Sequence, residues 1–257
     1  MTNSTNPRTN TFTFIFHRGL FAAILFSLAV AIAPLHADDT MAQPSKAGDA
    51  SHLNYLKAGK PDAIALLAPP PAPDSAEQAA DLAEVRAVCH DAPSNDVAAA
   101  MIENKGVSLF YFTPVVGDIF QPGKLPKTEA FLRHVQAEAE AVVNSAKDYW
   151  KRPRPYMVDP GLVAGKLQKS FSYPSGHSTD SMTVGLVLAD LFPDKRDAII
   201  AEARAIGWHR VEIARHYPTD IYAGRVLAQA IVKEMKKNDA FQKDFEEAKA
   251  EIAAVKN

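Results

Sequence analysis

The segment HRVEIARHYPTD, residues 209–220, contains a histidine and an aspartate at a spacing that suits nucleophilic catalysis. Pro218 is favoured at the first position of a helix, which places Asp220 one helical turn beyond His216. An aspartate that accepts from one imidazole nitrogen fixes the ring tautomer and leaves the lone pair of the other nitrogen free to attack. The alternative is a surface i,i+4 pair, which would stabilise a helix by only about 0.2–0.5 kcal/mol.

The segment YPSGHS, residues 173–178, is typical of a helix start that binds an anion. Ser175 suits the N-cap position, and Gly176 lets a backbone amide approach a ligand closely. A helix that begins here directs free N–H groups and the positive end of its dipole at the ligand. A simple capped turn is the alternative, but it leaves His177 without a role.

The segment KDYWKRPRP, residues 147–155, has six residues between Lys147 and Arg154. Pro153 and Pro155 end the preceding helix and stiffen the turn that carries Arg154. On its own, this segment is equally typical of a basic helix C-terminus, which the helix dipole favours.

Three of the polar residues fall on apolar helix faces, namely Arg210, His177 and Asp220. Their apolar neighbours at helical spacing are Ile199, Ala203, Ile206 and Ile213 for Arg210, Val184, Leu188 and Leu191 for His177, and Leu227 and Ile231 for Asp220. Burying a charge is costly unless the charge is paired. Each residue could be satisfied separately in the core, but three together, each near a helix end, favour one shared polar pocket.

Helices must position this pocket, because three- and four-residue hydrophobic spacing dominates the chain and strand alternation is almost absent. Helical spacing is found at residues 131–149, 199–206 and 227–235, and residues 239–256 indicate a charged terminal helix. Ser75 caps a further helix predicted to end near Cys89, with Gln78 in the capping-box position. The proline run at 67–73 predicts an extended segment. The predicted fold class is therefore all-α, a single-domain helical bundle.

The composition excludes several classes of protein. Of 257 residues, 28 are Lys or Arg and 30 are Asp or Glu, a formal net charge of −2, so no basic excess indicates nucleic acid as a stable partner. The single cysteine excludes an intrachain disulfide and a cysteine-based metal cluster.

The N-terminus predicts export. An uncharged run at residues 19–33, followed by the small residue Ala37, is typical of a secretory signal peptide. An uncleaved membrane anchor is the alternative, but a span needs about 20 apolar residues. We therefore predict a signal peptide at 1–37, a lead-in at 38–65 that is loose over 38–60, and a helical domain at 66–257. The mature protein would be periplasmic, with no membrane association after cleavage.

Taken in chain order, the segments at 147–155, 173–178 and 209–220 resemble the signature of the type 2 phosphatidic acid phosphatase superfamily, which also contains the vanadium haloperoxidases. With export and the proline run ahead of the signature, the chain is most similar to the bacterial class A non-specific acid phosphatases, from about Leu66 to Arg225. The tetrapeptide PSGH is the most specific part. The resemblance implies a phosphatase for small-molecule phosphate monoesters that needs no cofactor and no metal. Homo-oligomers are implied only by analogy with the family.

The resemblance also implies the phosphate ligands. Lys147, Arg154 and Arg210 would bind the phosphate oxygens, with help from Ser175 and the Gly176 amide. Several fixed cations suit a dianionic monoester, whose charge spreads over the equatorial oxygens in the transition state.

The catalytic roles follow from the same resemblance. His216 would be the nucleophile and form a phosphohistidine, and Asp220 would orient it. His177 would protonate the leaving alcohol and then deprotonate the attacking water. One position departs from the family, which usually has serine where this chain has His209. We predict that His209, when protonated, donates to a phosphate oxygen and modulates the pH dependence.

Four other functions would use parts of the same pocket. A lipid-type phosphatase or a phosphotransferase would keep all of its residues. A vanadate-dependent haloperoxidase would hold vanadate there, although those relatives are typically much longer. A non-enzymatic phosphate-binding protein would need the cations but not the histidines.

Overall fold

The computed structural model describes residues 53–162 and 167–256, which form helices with no β-strand among them. The longer helices are α2 (Ala76–Asp91), α3 (Ser94–Glu103), α5 (Pro126–Trp150), α7 (Gly176–Leu191), α8 (Arg196–Glu212), α9 (Pro218–Met235) and α10 (Asp239–Lys256). Single turns form α1 (Ala63–Leu66), α4 (Thr113–Val116) and α6 (Pro155–Val158), and 3₁₀ turns lie at Leu109–Phe112, Pro160–Leu162 and Pro193–Lys195. The predicted all-α class is confirmed.

Helix α7 packs against α5, α8 and α9 and is buried along most of its length. Val184, Val187 and Leu188 are inaccessible to solvent. Small residues allow the close approach, since a Cβ added at Gly185 would lie only 2.8 Å from the Cβ of Ala203 on α8. Close packing on three sides gives the N-terminus of α7 a defined position.

The predicted start of α2 is confirmed, because Ser75 Oγ accepts from the Gln78 amide at 3.1 Å. The proline run at 67–73 forms no helix, as predicted. The Tyr173 hydroxyl donates to the Ala68 carbonyl at 2.6 Å and so links this run to the loop before α7. None of the helices in the described residues has the length and apolar character needed to cross a bilayer.

Residues 54–56 of the predicted loose segment are held against α5, which the prediction did not anticipate, whereas residues 57–60 are exposed. Tyr55 and Leu56 are buried. The backbone amides of Asn54, Tyr55 and Leu56 donate to the carboxylate of Glu138 on α5 at 2.7–3.1 Å. Residues 38–52 and the predicted signal peptide at 1–37 lie outside the described residues.

Candidate active site

Helix ends and adjoining loops bring the predicted site residues together. Lys147 lies in the last turn of α5, His177 in the first turn of α7 and Asp220 in the first turn of α9. A cavity of 440 Å³ lies at these ends. Its lining includes Lys147, Arg154, Gly176, His177 and His216. Among the described residues, no group of three His, Cys, Asp or Glu side chains is placed to hold a metal ion.

His216 presents one ring nitrogen to an aspartate and the other to a cation. Its Nδ1 lies 3.3 Å from Oδ2 of Asp220, and its Nε2 lies 3.1 Å from Nη1 of Arg154. Burial, followed by the charges of Arg154, Lys147 and Arg210, lowers the pKa of His216 well below its usual value. A neutral ring with Nδ1–H towards Asp220 directs the Nε2 lone pair at the cations, which is the geometry that a nucleophile requires.

Asp220 is held on both carboxylate oxygens and is fully buried. Oδ2 accepts from the Ser172 hydroxyl at 2.5 Å and from the Tyr217 amide at 2.9 Å. Oδ1 accepts from Nη1 of Arg152 at 2.6 Å. With these donors in place, Asp220 cannot rotate away from His216.

His177 is anchored by the backbone at the end of α3. Its Nε2 lies 2.8 Å from the carbonyl oxygen of Glu103, and that acceptor requires a hydrogen on Nε2. Burial, followed by the charges of Arg210, Arg154 and Lys147, lowers the pKa of His177 to about 3, against the opposing effect of the hydrogen bond to Glu103. His177 is therefore neutral in the unliganded cavity, and a bound dianion would favour its protonation by offsetting those cations.

The three predicted phosphate ligands are buried cations without a carboxylate partner. Among the described residues, no ion pair joins Lys147, Arg154 or Arg210 to an acidic side chain. They donate instead to neutral oxygens, such as the Phe171 carbonyl at 2.6 Å from Lys147 Nζ and Asn104 Oδ1 at 2.7 Å from Arg210 Nη2. Burial lowers the pKa of Arg154 to about 10, that of Arg210 to about 9, and that of Lys147 well below its usual value. A bound anion would stabilise all three charges.

Besides Asp220, three predicted residues do not line the cavity. Arg210 is fully buried, and its Nε has no hydrogen-bond partner among the described residues. Ser175 Oγ caps α7 by accepting from the Ser178 amide at 3.3 Å. His209, which we expected to donate to phosphate, instead places Nδ1 3.0 Å from both oxygens of the Glu103 carboxylate. That carboxylate is a charged acceptor already within reach, so the structure gives His209 a different partner from the expected one.

Two buried residues of the site, Arg152 and Asp81, are absent from the sequence prediction. Arg152 donates to Asp220 at 2.6 Å and to Asp81 at 2.7 Å. In the segment after α5, Pro153 is exposed between the buried residues Arg152 and Arg154, as in the alternation of an extended chain. The sequence could have indicated Arg152, because it lies two residues before Arg154 in a segment stiffened by prolines. No feature of the sequence indicated that Asp81 belongs to the site.

Comparison with known proteins assigns this site to a family. Residues 135–239 match the profile of the PAP2 superfamily, and this range contains every predicted catalytic and phosphate-binding residue. The chain therefore carries a PAP2 superfamily domain.

Curated relatives agree on the type of enzyme. A non-specific acid phosphatase of Providencia stuartii is 29% identical over 220 residues, which cover 79% of this chain and 86% of the relative. An acid phosphatase of Zymomonas mobilis is 32% identical over 115 residues, 43% of this chain and 44% of the relative. A lipid A 1-phosphatase of Rhizobium etli is 47% identical over 53 residues, 21% of this chain and 23% of the relative. The domain and these relatives identify the chain as a phosphatase.

Proposed function

We propose that this chain is a periplasmic acid phosphatase that hydrolyses phosphate monoesters through a phosphohistidine on His216, without a metal ion. The observation that carries the proposal is a set of three buried cations whose charges act on His216 and which form no ion pair with a carboxylate among the residues that the structure describes. A phosphate monoester dianion supplies the charge that these cations lack. Its equatorial oxygens also receive the charge that develops during phosphoryl transfer.

In the first step, the Nε2 lone pair of His216 attacks phosphorus in line with the ester oxygen. The N–P bond forms while the P–O bond to the leaving alcohol breaks, and His177 gives its proton to that oxygen. Because Nε2 of His177 donates to the Glu103 carbonyl, Nδ1 is the nitrogen available for this transfer. Asp220 stabilises the positive charge that the ring of His216 gains.

In the second step, neutral His177 removes a proton from a water molecule whose oxygen attacks phosphorus. The P–N bond breaks, inorganic phosphate forms, and His216 regains its lone pair. The first step requires protonated His177, whose pKa is about 3 in the unliganded cavity, so the dianion must stabilise that proton. We expect turnover to fall as the pH rises through the pKa of His177 in the substrate complex.

A lipid-type phosphatase or a phosphotransferase on the same site is the second candidate. The lipid A 1-phosphatase relative favours the lipid substrate, over 53 residues. These activities differ from the first in the leaving group or in the acceptor, while the residues around the phosphoryl group are the same. Comparing the turnover of a soluble monoester with that of a phosphorylated lipid in detergent separates the monoester phosphatase from the lipid-type phosphatase. Adding an alcohol acceptor to each assay detects phosphotransferase activity.

Turnover of p-nitrophenyl phosphate at about pH 5–7, with and without EDTA, tests the proposal. We expect EDTA-insensitive turnover that falls about 10⁴-fold or more in His216→Ala. His90→Ala is the matched control, because His90 is an exposed histidine on α2. EDTA-sensitive turnover would contradict the mechanism. Phosphate binding without turnover would indicate a binding protein, and bromide oxidation only with vanadate and peroxide would indicate a haloperoxidase.

A second arm of this experiment identifies the intermediate in His177→Ala. p-Nitrophenolate leaves without a general acid, whereas the attacking water still needs the base, so the phosphoenzyme should accumulate. A rapid quench should trap a phosphoryl label that is stable to alkali and labile in acid, as expected of phosphohistidine. Label that persists in the double variant with His216→Ala would contradict the assigned nucleophile.

A further inference from the structure

A buried guanidinium joins α2 to the machinery around His216. Nη2 of Arg152 donates to Oδ2 of Asp81 at 2.7 Å, and Nη1 donates to Oδ1 of Asp220 at 2.6 Å. Gln78 Oε1 and Thr219 Oγ1 accept from the same two nitrogens at 2.6 and 2.7 Å. The side chains of all three charged residues are at most 4% exposed. Such a network is costly to bury unless its charges are paired, and here four side chains accept from the two terminal nitrogens of the guanidinium. Of the guanidinium nitrogens of Arg152, only Nε has no hydrogen-bond partner among the described residues.

Two further contacts restrict the position of the guanidinium. The ring of Tyr217 lies against it, with Cζ of Arg152 3.9 Å from the ring centroid. The Thr219 hydroxyl donates to Asp81, so two acceptors of the guanidinium also hold each other. A planar fork can contact both carboxylates at once, whereas a lysine ammonium presents its donors from one atom.

We infer that Asp81 and Arg152 are positioning residues for His216, which hold Asp220 so that its Oδ2 faces Nδ1 of the ring. The inference rests on the proposed function only in taking His216 as the reacting residue. Asp81 lies on α2, outside the residues 135–239 that match the superfamily profile. A part of the chain beyond that domain thus supports the nucleophile.

Charge gives Asp81 a second effect on the same residue. The cluster contains one positive and two negative groups, so Arg152 is shared between two carboxylates. Without Asp81, the hydrogen bond from Arg152 to Asp220 would become stronger. The hydrogen bond that Asp220 accepts from His216 would then become weaker. The charges of Arg154 and Lys147, which also act on His216, are positive and would not replace the lost carboxylate.

Kinetics of Asp81→Asn and Arg152→Lys test the inference. Asp81→Asn should lower kcat about tenfold, within the range seen when a supporting carboxylate is removed, and Arg152→Lys about 100-fold. KM should change less than about twofold, because neither residue lines the cavity. The matched control is Glu84→Gln, which removes a carboxylate from an exposed position one turn along α2 and should leave both constants unchanged.

Nitrogen-15 NMR of the histidines gives a readout that does not depend on turnover. The wild type should have His216 in the Nδ1-protonated tautomer, assigned by the loss of its signal in His216→Ala, whereas Asp81→Asn should contain a mixture of tautomers. If Asp81→Asn does not fold, Asp81→Glu, which keeps the charge but changes the reach, takes its place. If His216 had the same tautomer in Asp81→Asn as in Glu84→Gln, the inference would be overturned, even if the activity of Asp81→Asn fell. Full turnover in His216→Ala would instead overturn the proposed function, and the NMR comparison would still decide the positioning.

Discussion

At the residue scale, His209, at the position where the resemblance implied a serine, forms a pair with Glu103. The Glu103 carboxylate lies 3.0 Å from Nδ1 of His209, while its backbone carbonyl accepts from His177 at 2.8 Å. Burial lowers the pKa of His209, but the hydrogen bond and charge of Glu103 outweigh it, with help from Glu212 and Asp96, so the net effect raises this pKa. One glutamate at the end of α3 therefore contacts two histidines of the site.

Replacing His209 by glutamine should reduce stability mainly in acid. A folded-state pKa above the ordinary value of 6.5 means that the pair stabilises fully below that value. Its contribution is lost as the pH rises through the folded-state pKa. Urea unfolding of the wild type and His209→Gln at several pH values measures this, and the difference in free energy of unfolding should be largest below about pH 6.

His134→Gln is the control for that series, because His134 is exposed on α5. A difference that stays constant from acid to alkaline pH would contradict the ion pair. Inhibition by inorganic phosphate should change little in His209→Gln, since this side chain does not line the cavity.

At the scale of helices, the approach of α9 to α7 determines where the first turn of α7 lies. A Cβ at Gly224 of α9 would be 2.8 Å from the carbonyl oxygen of Ser175 and 3.0 Å from the Cβ of Ser178. The Ser175 amide also donates to the Asp220 carbonyl at 3.0 Å. The starts of α7 and α9 are therefore joined directly, which fixes His177 relative to Asp220.

Gly224→Ala should damage activity as well as stability. The atom nearest to the added Cβ is the backbone oxygen of Ser175, so the starts of α7 and α9 must move apart. We expect this to lower the free energy of unfolding by about 1–3 kcal/mol. We expect kcat/KM to fall at least about tenfold at a temperature where the variant is folded, because sub-ångström placement matters for catalysis. Thermal unfolding and steady-state kinetics measure the two effects.

Gly185→Ala provides the comparison, since its Cβ would meet the Ala203 side chain in the core between α7 and α8. A similar loss of stability with nearly normal kcat/KM is expected there. Equal losses of activity in the two variants would mean that the helix starts have no special role.

At the scale of the whole molecule, a charged side chain attaches the segment before the bundle to its longest helix. Glu138 is 3% exposed and accepts from three consecutive amides, those of residues 54–56. Tyr55 also donates from its hydroxyl to Asp244 on α10 at 2.6 Å. The segment therefore ties α5 and α10 together through Tyr55, Glu138 and Asp244, none of which lines the candidate active-site cavity.

Glu138→Gln should lower the free energy of unfolding by about 1.5–3 kcal/mol, because hydrogen bonds to a charged acceptor contribute that much. Limited proteolysis should cut the variant near residue 53 sooner than the wild type, while kcat stays within about twofold. Glu246→Gln, at an exposed position on α10, is the control. Unchanged unfolding together with unchanged proteolysis would show that these amide contacts do not hold the segment.

Much of the site was predictable because its key relations are local in the chain. Asp220 follows His216 by one helical turn, and Ser175 caps the helix that carries His177, so spacing alone indicates their geometry. Apolar faces interrupted by Arg210, His177 and Asp220 also predicted a shared polar pocket. The all-α class followed from hydrophobic periodicity, which depends on short-range helical geometry.

The partners of those residues could not be predicted, because they come from distant helices. Asp81 and Arg152 are 71 positions apart, and Glu103 and His209 are 106 apart. Which faces of α2, α3 and α8 meet, and how closely, depends on how the side chains of the whole core pack. Local spacing thus predicted the candidate catalytic groups, whereas long-range packing determined which carboxylates contact Asp220's partner Arg152 and the histidine His209.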